Sequence, residues 1–524
     1  DTSIDDDTAV DDDSTDDDND GPGEFMVSMQ DGTLLWTRVT YPNNPQEKMP
    51  AILLRTPYRD ASMGLDLWYG AMGNWFTNLG LVFVLQDVRG RYSSEGEWSP
   101  YEHEFSDGSD TLDWMLARSW SDGVVGTVGG SYEAFCALAA AVDRGDIAVA
   151  IAECPIIDST TCLEGGTPDL AMVNWLYKLE HTNDAPDVLL NEATNLLDLK
   201  QADNVVLGHD SGWWTAILNH GLPPDDFWDT RSLRPVLDQI TIPALITQST
   251  LDQWREGINI YENMETIPAD KRFLLTDLDH YKILPSVISG TPDTAMYLVQ
   301  AYIMTYMFGM NVGLENVKPV LYRAVHEDST EYRQTEQWPP ATTDLVLYPH
   351  SDGALTDEFV AEAEETMSVD PENQDPCADT HQKKVYVTDT LADDLYVVGQ
   401  PRLELYASCT STDCDFYAFF REQGNEDIAL QATVRAKYRN GRNNPNPITP
   451  GAQWHATMDS FPMAYKFPAG GKIELEISGL KCQFAENPGS GEPLNNQTHY
   501  ETSIHKIYHQ ADSETRFILP VLAE

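Results

Sequence analysis

Val124-Val125-Gly126-Thr127-Val128-Gly129-Gly130-Ser131-Tyr132-Glu133-Ala134-Phe135 joins a short apolar run to an alanine-rich stretch. Val124 to Gly129 has the length and β-branched content of a buried strand, and Tyr132 to Val142 reads as a helix. A serine at the junction is pushed outward by the sharp turn. Its small neighbours permit the strained backbone, and the helix N-terminus stabilises negative charge developing beside it. Gly-x-Ser alone is a weak signal. The strand before it and the helix after it give it weight, and Ser131 becomes the candidate nucleophile.

Working outward, Ala51 to Arg55, Leu81 to Gln86 and Ala148 to Glu153 are further short apolar runs, and Asp107 to Arg118 is helical. Strands alternating with helices at this spacing predict an α/β domain with a parallel sheet. Upstream, Met26 to Leu35 reads as two strands about an Asp31-Gly32 turn. From about Cys154 to Leu233 the strand signal stops and helical stretches follow: Leu170 to Glu180, Val188 to Leu197 and Gly212 to Leu218. Alternation resumes at Ile242 to Thr247 and Phe273 to Leu275. A helical block inserted between strands of one sheet is expected to cap the sheet's active edge. Past residue 323 the pattern becomes period-two, at Lys384–Val387, Pro401–Ala407, Asp415–Arg421, Ala429–Tyr438, Trp454–Met458, Ile473–Ile477 and Thr515–Leu522, which predicts a β-sandwich of jelly-roll type. The expected partition is an acidic tail over 1–24, an α/β domain over 25–153 and 234–322, a cap over 154–233, and a β domain over 323–524.

On a nucleophile-elbow fold the acid and then the histidine come from later strand ends. Asp252 follows the run Ala244 to Thr247. His280 follows Phe273 to Leu275, and among 12 histidines it alone lies after a late sheet strand and before the β domain. Asp277 and Asp279 are rival carboxylates, ranked below Asp252 because the acid belongs to the preceding strand's loop.

Composition bounds the partners. There are 85 Asp+Glu against 32 Lys+Arg, a formal net charge of −53. The tail, with Asp5-Asp6-Asp7, Asp11-Asp12-Asp13 and Asp16-Asp17-Asp18, carries part of the excess, but the rest of the chain stays strongly anionic. Such a surface repels nucleic acid and anionic lipid. Salt adaptation and an extracellular habit give the same signature. No apolar run reaches the roughly 18 residues that mark a membrane-spanning helix. A low-complexity Asp/Ser/Thr tail at Asp1, with no charged-then-apolar leader, leads us to expect a processed protein that is secreted or associated with the cell envelope. Of seven cysteines, Cys136 is expected as a buried thiol. Cys154/Cys162 and Cys409/Cys414 are close enough to close short loops, leaving Cys377 for Cys482; scattered buried thiols are the alternative. No CxxC or HExxH occurs, so neither a metal nor a cofactor is expected.

Several motifs in order now add up. Arg55-Thr56-Pro57-Tyr58, Asp87-Val88-Arg89-Gly90-Arg91 with Ser94-Glu95-Gly96, Trp120-Ser121-Asp122-Gly123 and Gly129-Gly130-Ser131-Tyr132 precede Val434-Arg435-Ala436-Lys437-Tyr438-Arg439 and Leu519-Pro520-Val521. Over nearly everything after residue 25 the chain resembles the family that joins bacterial cocaine esterase, Xaa-Pro dipeptidyl-peptidases and α-amino-acid ester hydrolases. The resemblance implies an α/β-hydrolase fold with an inserted helical cap and a C-terminal all-β jelly-roll domain. It also implies Ser131 as nucleophile, Asp252 as acid and His280 as base, with an oxyanion hole from the Tyr58 hydroxyl and the Tyr132 backbone N–H. The expected substrate is a small-molecule ester or amide. Departures are Ala134 in place of a usual glycine, and Asp277-Leu278-Asp279 in place of the Gly-Pro-Trp lead to the histidine. Trp254 and Arg255 stand where the amino-acid ester hydrolases carry acidic residues that grip an ammonium, which predicts a pocket partly aromatic and partly cationic. Trp175 from the cap is a third candidate for substrate contact. Trp213, Trp214 and Trp228 are weaker ones, since helical aromatics are more often core. The leading expectation is an acyl-ester hydrolase. A Xaa-Pro dipeptidyl-peptidase is the alternative of the same chemistry, and a non-catalytic glycan-binding protein the alternative of another class. Occupied positions for all five catalytic elements argue against the last.

Overall fold

The computed structural model describes residues 21–523 apart from 61–63, 182, 253, 265–269, 281, 286–293, 373–381, 426–429 and 482. The aspartate triplets and the proposed Cys377–Cys482 pair therefore lie outside the described residues.

The first sheet has ten strands, and their sequence order shows where the site must be. β1 (Gly23–Ser28) and β2 (Leu34–Thr40) form an antiparallel ribbon that pairs onto β4 (Val82–Asp87). Parallel pairing then runs from β4 through β3 (Met49–Thr56), β5 (Ser121–Gly130), β6 (Val149–Glu153), β7 (Ala244–Ser249), β8 (Lys271–Thr276) and β9 (Val320–Tyr322). Strands β3, β4, β6 and β7 are buried along their whole length. That explains why they read as unbroken apolar runs rather than as alternation: helices cover both faces of a parallel sheet. This is the α/β-hydrolase arrangement, and the carboxyl ends of β3, β5, β6, β7 and β8 open onto one edge.

The sheet departs from the expected boundaries at both ends. β1 already begins at Gly23, two residues inside the expected tail. A last strand, β10 (Arg333–Thr335), folds back antiparallel on β9, so the first domain runs past the boundary expected at residue 322. Three-residue strands bury too little apolar surface to mark the sequence.

Between β6 and β7 the chain is helical. A kinked 3-10 segment (Ser159–Gly166) precedes four α-helices of the cap, over Ala171–Lys178, Asp187–Thr194, Ala202–Leu207 and Trp213–Asn219. The third of these, six residues long, went unread. Trp213, Trp214 and Trp228 are buried in the main core. No helix among the described residues is long and apolar enough to cross a membrane.

From Thr342 onward the chain is all-β, with a nine-stranded and a four-stranded sheet. The expected strands are present within a residue or two, except that Ala429–Tyr438 ends in a 3-10 turn over Ala436–Tyr438. Further strands over Thr342–Pro349, Glu365–Val369, Leu395–Gly399, Met463–Phe467 and Ser503–Ile507 were not anticipated. This domain packs on both of its neighbours. Ala464 N–H donates to the Thr250 hydroxyl beside β7. Leu170 N–H in the cap donates to the Gln483 carbonyl. Gly166 (φ 84°) meets the Tyr438 ring so closely that a β-carbon would sit 1.9 Å from it, so a side chain there would force the cap and the β domain apart.

The cysteines correct one expectation. Cys409 and Cys414 are disulfide-bonded, but Cys154 and Cys162 are thiols. The Cys162 Sγ lies 2.8 Å from the Ser159 carbonyl within its own 3-10 turn. The Cys154 donor atom instead lies within 4.8 Å of those of Asp252 and His280. The two sulfurs thus have different partners. Cys136 is a buried thiol.

Candidate active site

The turn between β5 and the helix Tyr132–Ala139 is strained in the way the sequence suggests. Ser131 has φ 59° and ψ −124°, a conformation that non-glycine residues avoid and that persists only where surrounding structure enforces it. Enforcement is visible. Ser131 N–H donates to the Glu153 carbonyl at 2.8 Å, and its own carbonyl receives Ala134 N–H at 3.0 Å. A β-carbon on Gly129 would lie 2.3 Å from the Glu133 carbonyl oxygen, so only glycine lets the strand meet the helix this closely. Tyr132 is the first helical residue, where a backbone N–H has no intrahelical acceptor.

Ser131, Tyr58, Asp252 and His280 line one cavity of 740 Å³. Asp252 is buried, its side chain 1% exposed, while that of His280 is 36% exposed. His280 Nδ1 lies 2.7 Å from Asp252 Oδ2. Gln248 Nε2 donates to the same oxygen at 3.0 Å, and Trp254 N–H donates to the other at 3.2 Å. The carboxylate is thereby held in one orientation with its charge satisfied. Burial by itself lowers the His280 pKa. The hydrogen bond and charge of Asp252, with the charges of Glu153 and Asp279, more than reverse that and hold it above 6.5. Cys154, Asp252 and His280 are the one cluster of potential metal ligands among the described residues. Two ligands of one zinc stand about 3.3 Å apart. At 2.7 Å the imidazole and carboxylate are a hydrogen-bonded pair.

Tyr58 sits at the end of β3, and its place is fixed from behind. Its N–H donates to the Thr56 hydroxyl at 3.1 Å, which in turn bonds the Tyr69 hydroxyl at 2.6 Å. Tyr69 donates to the fully buried Glu133 on the helix after Ser131. The two elements that would supply oxyanion donors are thus tied together. The Tyr58 hydroxyl receives the indole N–H of Trp175 at 3.2 Å. Burial pushes its pKa above the usual phenol range, opposed by hydrogen bonds with Trp175 and Ser131.

The other motif residues are the foundation. Arg55, fully buried, pairs with Glu104 at 2.7 Å, whose other oxygen accepts the Tyr132 hydroxyl. Arg89 forms a bidentate pair with Asp107, and Arg59 another with Asp87. Gly90 (φ 70°) brings its backbone so near Trp98 that a β-carbon would lie 2.1 Å from the Trp98 nitrogen.

Three candidates for substrate contact fare differently. Trp175 and Trp254 line the cavity. Arg255 does not: it is 6% exposed, its guanidinium donates to the Asp252 carbonyl, and burial lowers its pKa to about 10. The expected cationic wall is replaced by an acidic one. Asp184, Asp187 and Asp279 line the cavity with Lys178, and Lys178 is paired with Asp184 at 2.5 Å.

Sequence reasoning missed Glu153. This carboxylate ends β6, is 2% exposed, and accepts Ile283 N–H at 2.6 Å and Leu284 N–H at 2.8 Å. It anchors the segment after His280. Burial raises its pKa to about 7 against those hydrogen bonds and the His280 charge. An acidic residue ending an apolar strand beside the elbow was the available signal. Gln483, contributed to the cavity wall by the β domain, had none.

The chain is similar to known proteins along nearly all its length. Residues 31–282 match the model of the X-Pro dipeptidyl-peptidase (S15 family), and residues 313–517 match that of the X-Pro dipeptidyl-peptidase C-terminal non-catalytic domain. A cocaine esterase from Rhodococcus sp. (strain MB1 Bresler) is 24% identical, over 95% of this chain and 98% of its own. Among solved structures, an aminopeptidase from a Thaumarchaeota archaeon of marine sediment superposes with a TM-score of 0.81 at 19% identity, covering 96% of each chain. An α-amino acid ester hydrolase superposes with a TM-score of 0.79 at 21% identity, over 95% of this chain and 96% of its own.

Proposed function

The chain belongs to the family of cocaine esterase and the X-Pro dipeptidyl-peptidases, which are serine hydrolases, and from that premise we propose that it cleaves an acyl ester through an acyl-enzyme on Ser131. His280 takes the Ser131 proton as the hydroxyl oxygen bonds the ester carbonyl carbon. Asp252 keeps the imidazole in the tautomer that offers Nε2 and stabilises the imidazolium that forms. The carbonyl oxygen, now anionic, receives the Tyr58 hydroxyl and the Tyr132 N–H. Collapse breaks the bond to the alcohol, which leaves with the proton from His280. Water then repeats the sequence on the acyl-enzyme and releases the acid.

The observation that carries this reading is the 2.7 Å contact between His280 and the buried Asp252 on the wall of the cavity that Ser131 and Tyr58 share. A fluorophosphonate probe is expected to label Ser131, and Ser131→Ala to remove both the label and several orders of magnitude of turnover while the protein stays folded. Near-normal turnover by a clean Ser131→Ala preparation would reject the assignment.

A second reading, release of an Xaa-Pro dipeptide, gains from the acidic wall. A free amino terminus needs a carboxylate, and Asp187 and Asp279 line the cavity. Gly-Pro-p-nitroanilide beside a panel of p-nitrophenyl esters separates the two: the ester reading expects the higher kcat/KM on the esters.

A further inference from the structure

We propose that Trp175, on the cap helix Ala171–Lys178, is a positioning residue that aims the Tyr58 proton into the oxyanion hole. The inference rests on Tyr58 being an oxyanion donor, as proposed above. A phenol has one proton to give and lone pairs to accept with, whereas an indole N–H can only donate. At the 3.2 Å contact between Trp175 Nε1 and the Tyr58 oxygen, Tyr58 is therefore the acceptor. Its proton must point elsewhere, and Ser131 lines the same cavity as Tyr58. The hydroxyl is then oriented before any negative charge develops, and no reorientation is needed when it does. Accepting a hydrogen bond also polarises the phenol and makes it a stronger donor.

Trp175 touches the second donor residue as well. Its ring lies at 14° to that of Tyr132, with centroids 6.1 Å apart. One cap residue thus contacts both residues of the hole, 117 positions along the chain from Tyr58, so seating of the cap and readiness of the hole become one event.

Trp98 supplies the control. Its ring stands 5.9 Å from that of Trp175 but is not among the residues that line the cavity, and its buried N–H has no acceptor among the described residues. Trp175→Phe keeps an aromatic side chain but removes the N–H donor together with the five-membered ring, and Trp98→Phe makes the same loss of volume without losing a hydrogen bond. Steady-state kinetics on one p-nitrophenyl ester are expected to show kcat reduced about 5- to 30-fold with KM nearly unchanged, the scale of one hydrogen bond felt mainly in the transition state. Tyr58→Phe is expected to lower kcat about 10²- to 10³-fold, and adding Trp175→Phe to it should cost nothing more, because the proton being aimed is gone. Trp98→Phe should leave both constants unchanged, and melting curves should show all four variants folded. A rise in KM with kcat held in Trp175→Phe would make the residue a wall only. Losses that multiply in the double variant, or an equal loss in Trp98→Phe, would likewise overturn the proposal. An unchanged kcat in Tyr58→Phe would instead remove the oxyanion role itself, and the inference with it.

Discussion

His280 carries opposite demands at the scale of the single residue. As the proposed base it must be neutral, yet Asp252, Glu153 and Asp279 hold its pKa above 6.5 against the effect of burial. The acid limb of kcat/KM is therefore expected above pH 6.5, with activity lost as pH falls through it. The contribution to stability has the other sign. A raised folded pKa means that the imidazolium–carboxylate pair stabilises fully below about 6.5, and that this is lost as pH rises through the folded value. Asp279 is 69% exposed, so its effect on His280 is screened by salt. Asp279→Asn should move the acid limb to lower pH by a few tenths of a unit in dilute buffer and by less in molar salt. Overlapping profiles in dilute buffer would show that Asp279 does not act on the base. The sequence put Asp277 and Asp279 near the histidine. It marked Glu153 only as an acid ending an apolar strand, and not its influence on His280 from β6 across the site.

The turn after β5 makes the corresponding argument at the scale of the element. A strand, a serine with φ 59° and a helix meet here because Gly129 has no β-carbon to strike the Glu133 carbonyl. Gly129→Ala must open the turn by shifting the helix, and such overpacking costs about 1–3 kcal/mol. The expected result is a lower melting temperature together with a larger fractional loss of kcat, because Ser131 and the Tyr132 N–H move with the helix. A variant with native melting and native kcat would mean the turn relaxes freely. The elements that could be read share long, one-period patterns: β3 to β8 as apolar runs and the main helices as Leu- or Ala-rich stretches. Several of those that went unread are short, such as Ala202–Leu207 and Arg333–Thr335. For them pairing partners, and not local periodicity, decide the structure.

Charge dominates at the scale of the whole molecule. With a net charge of −53 over the whole sequence, only part of it in the tail, the folded chain repels itself, while ion pairs such as Arg55–Glu104 and Arg435–Asp415 are buried. Salt screens exposed charges far more than buried ones. The melting temperature of a variant lacking the acidic tail should therefore rise from low to molar salt; a flat response would reject salt adaptation as the source of the acidity. The sequence by itself determined the order of domains, the elbow at Ser131 and the positions of Asp252 and His280. Each of these is marked by contiguous residues whose pattern follows from one strand or one helix. Only the tertiary structure decided that Arg255 stays out of the cavity lining while Asp184, Asp187 and Asp279 belong to it, that Cys154 lies by Asp252 and His280 and is not bonded to Cys162, and that Trp175 bonds Tyr58. These outcomes depend on which side chains meet after the cap and the β domain close over the sheet. Residues 117 positions apart leave no mark on each other's local sequence.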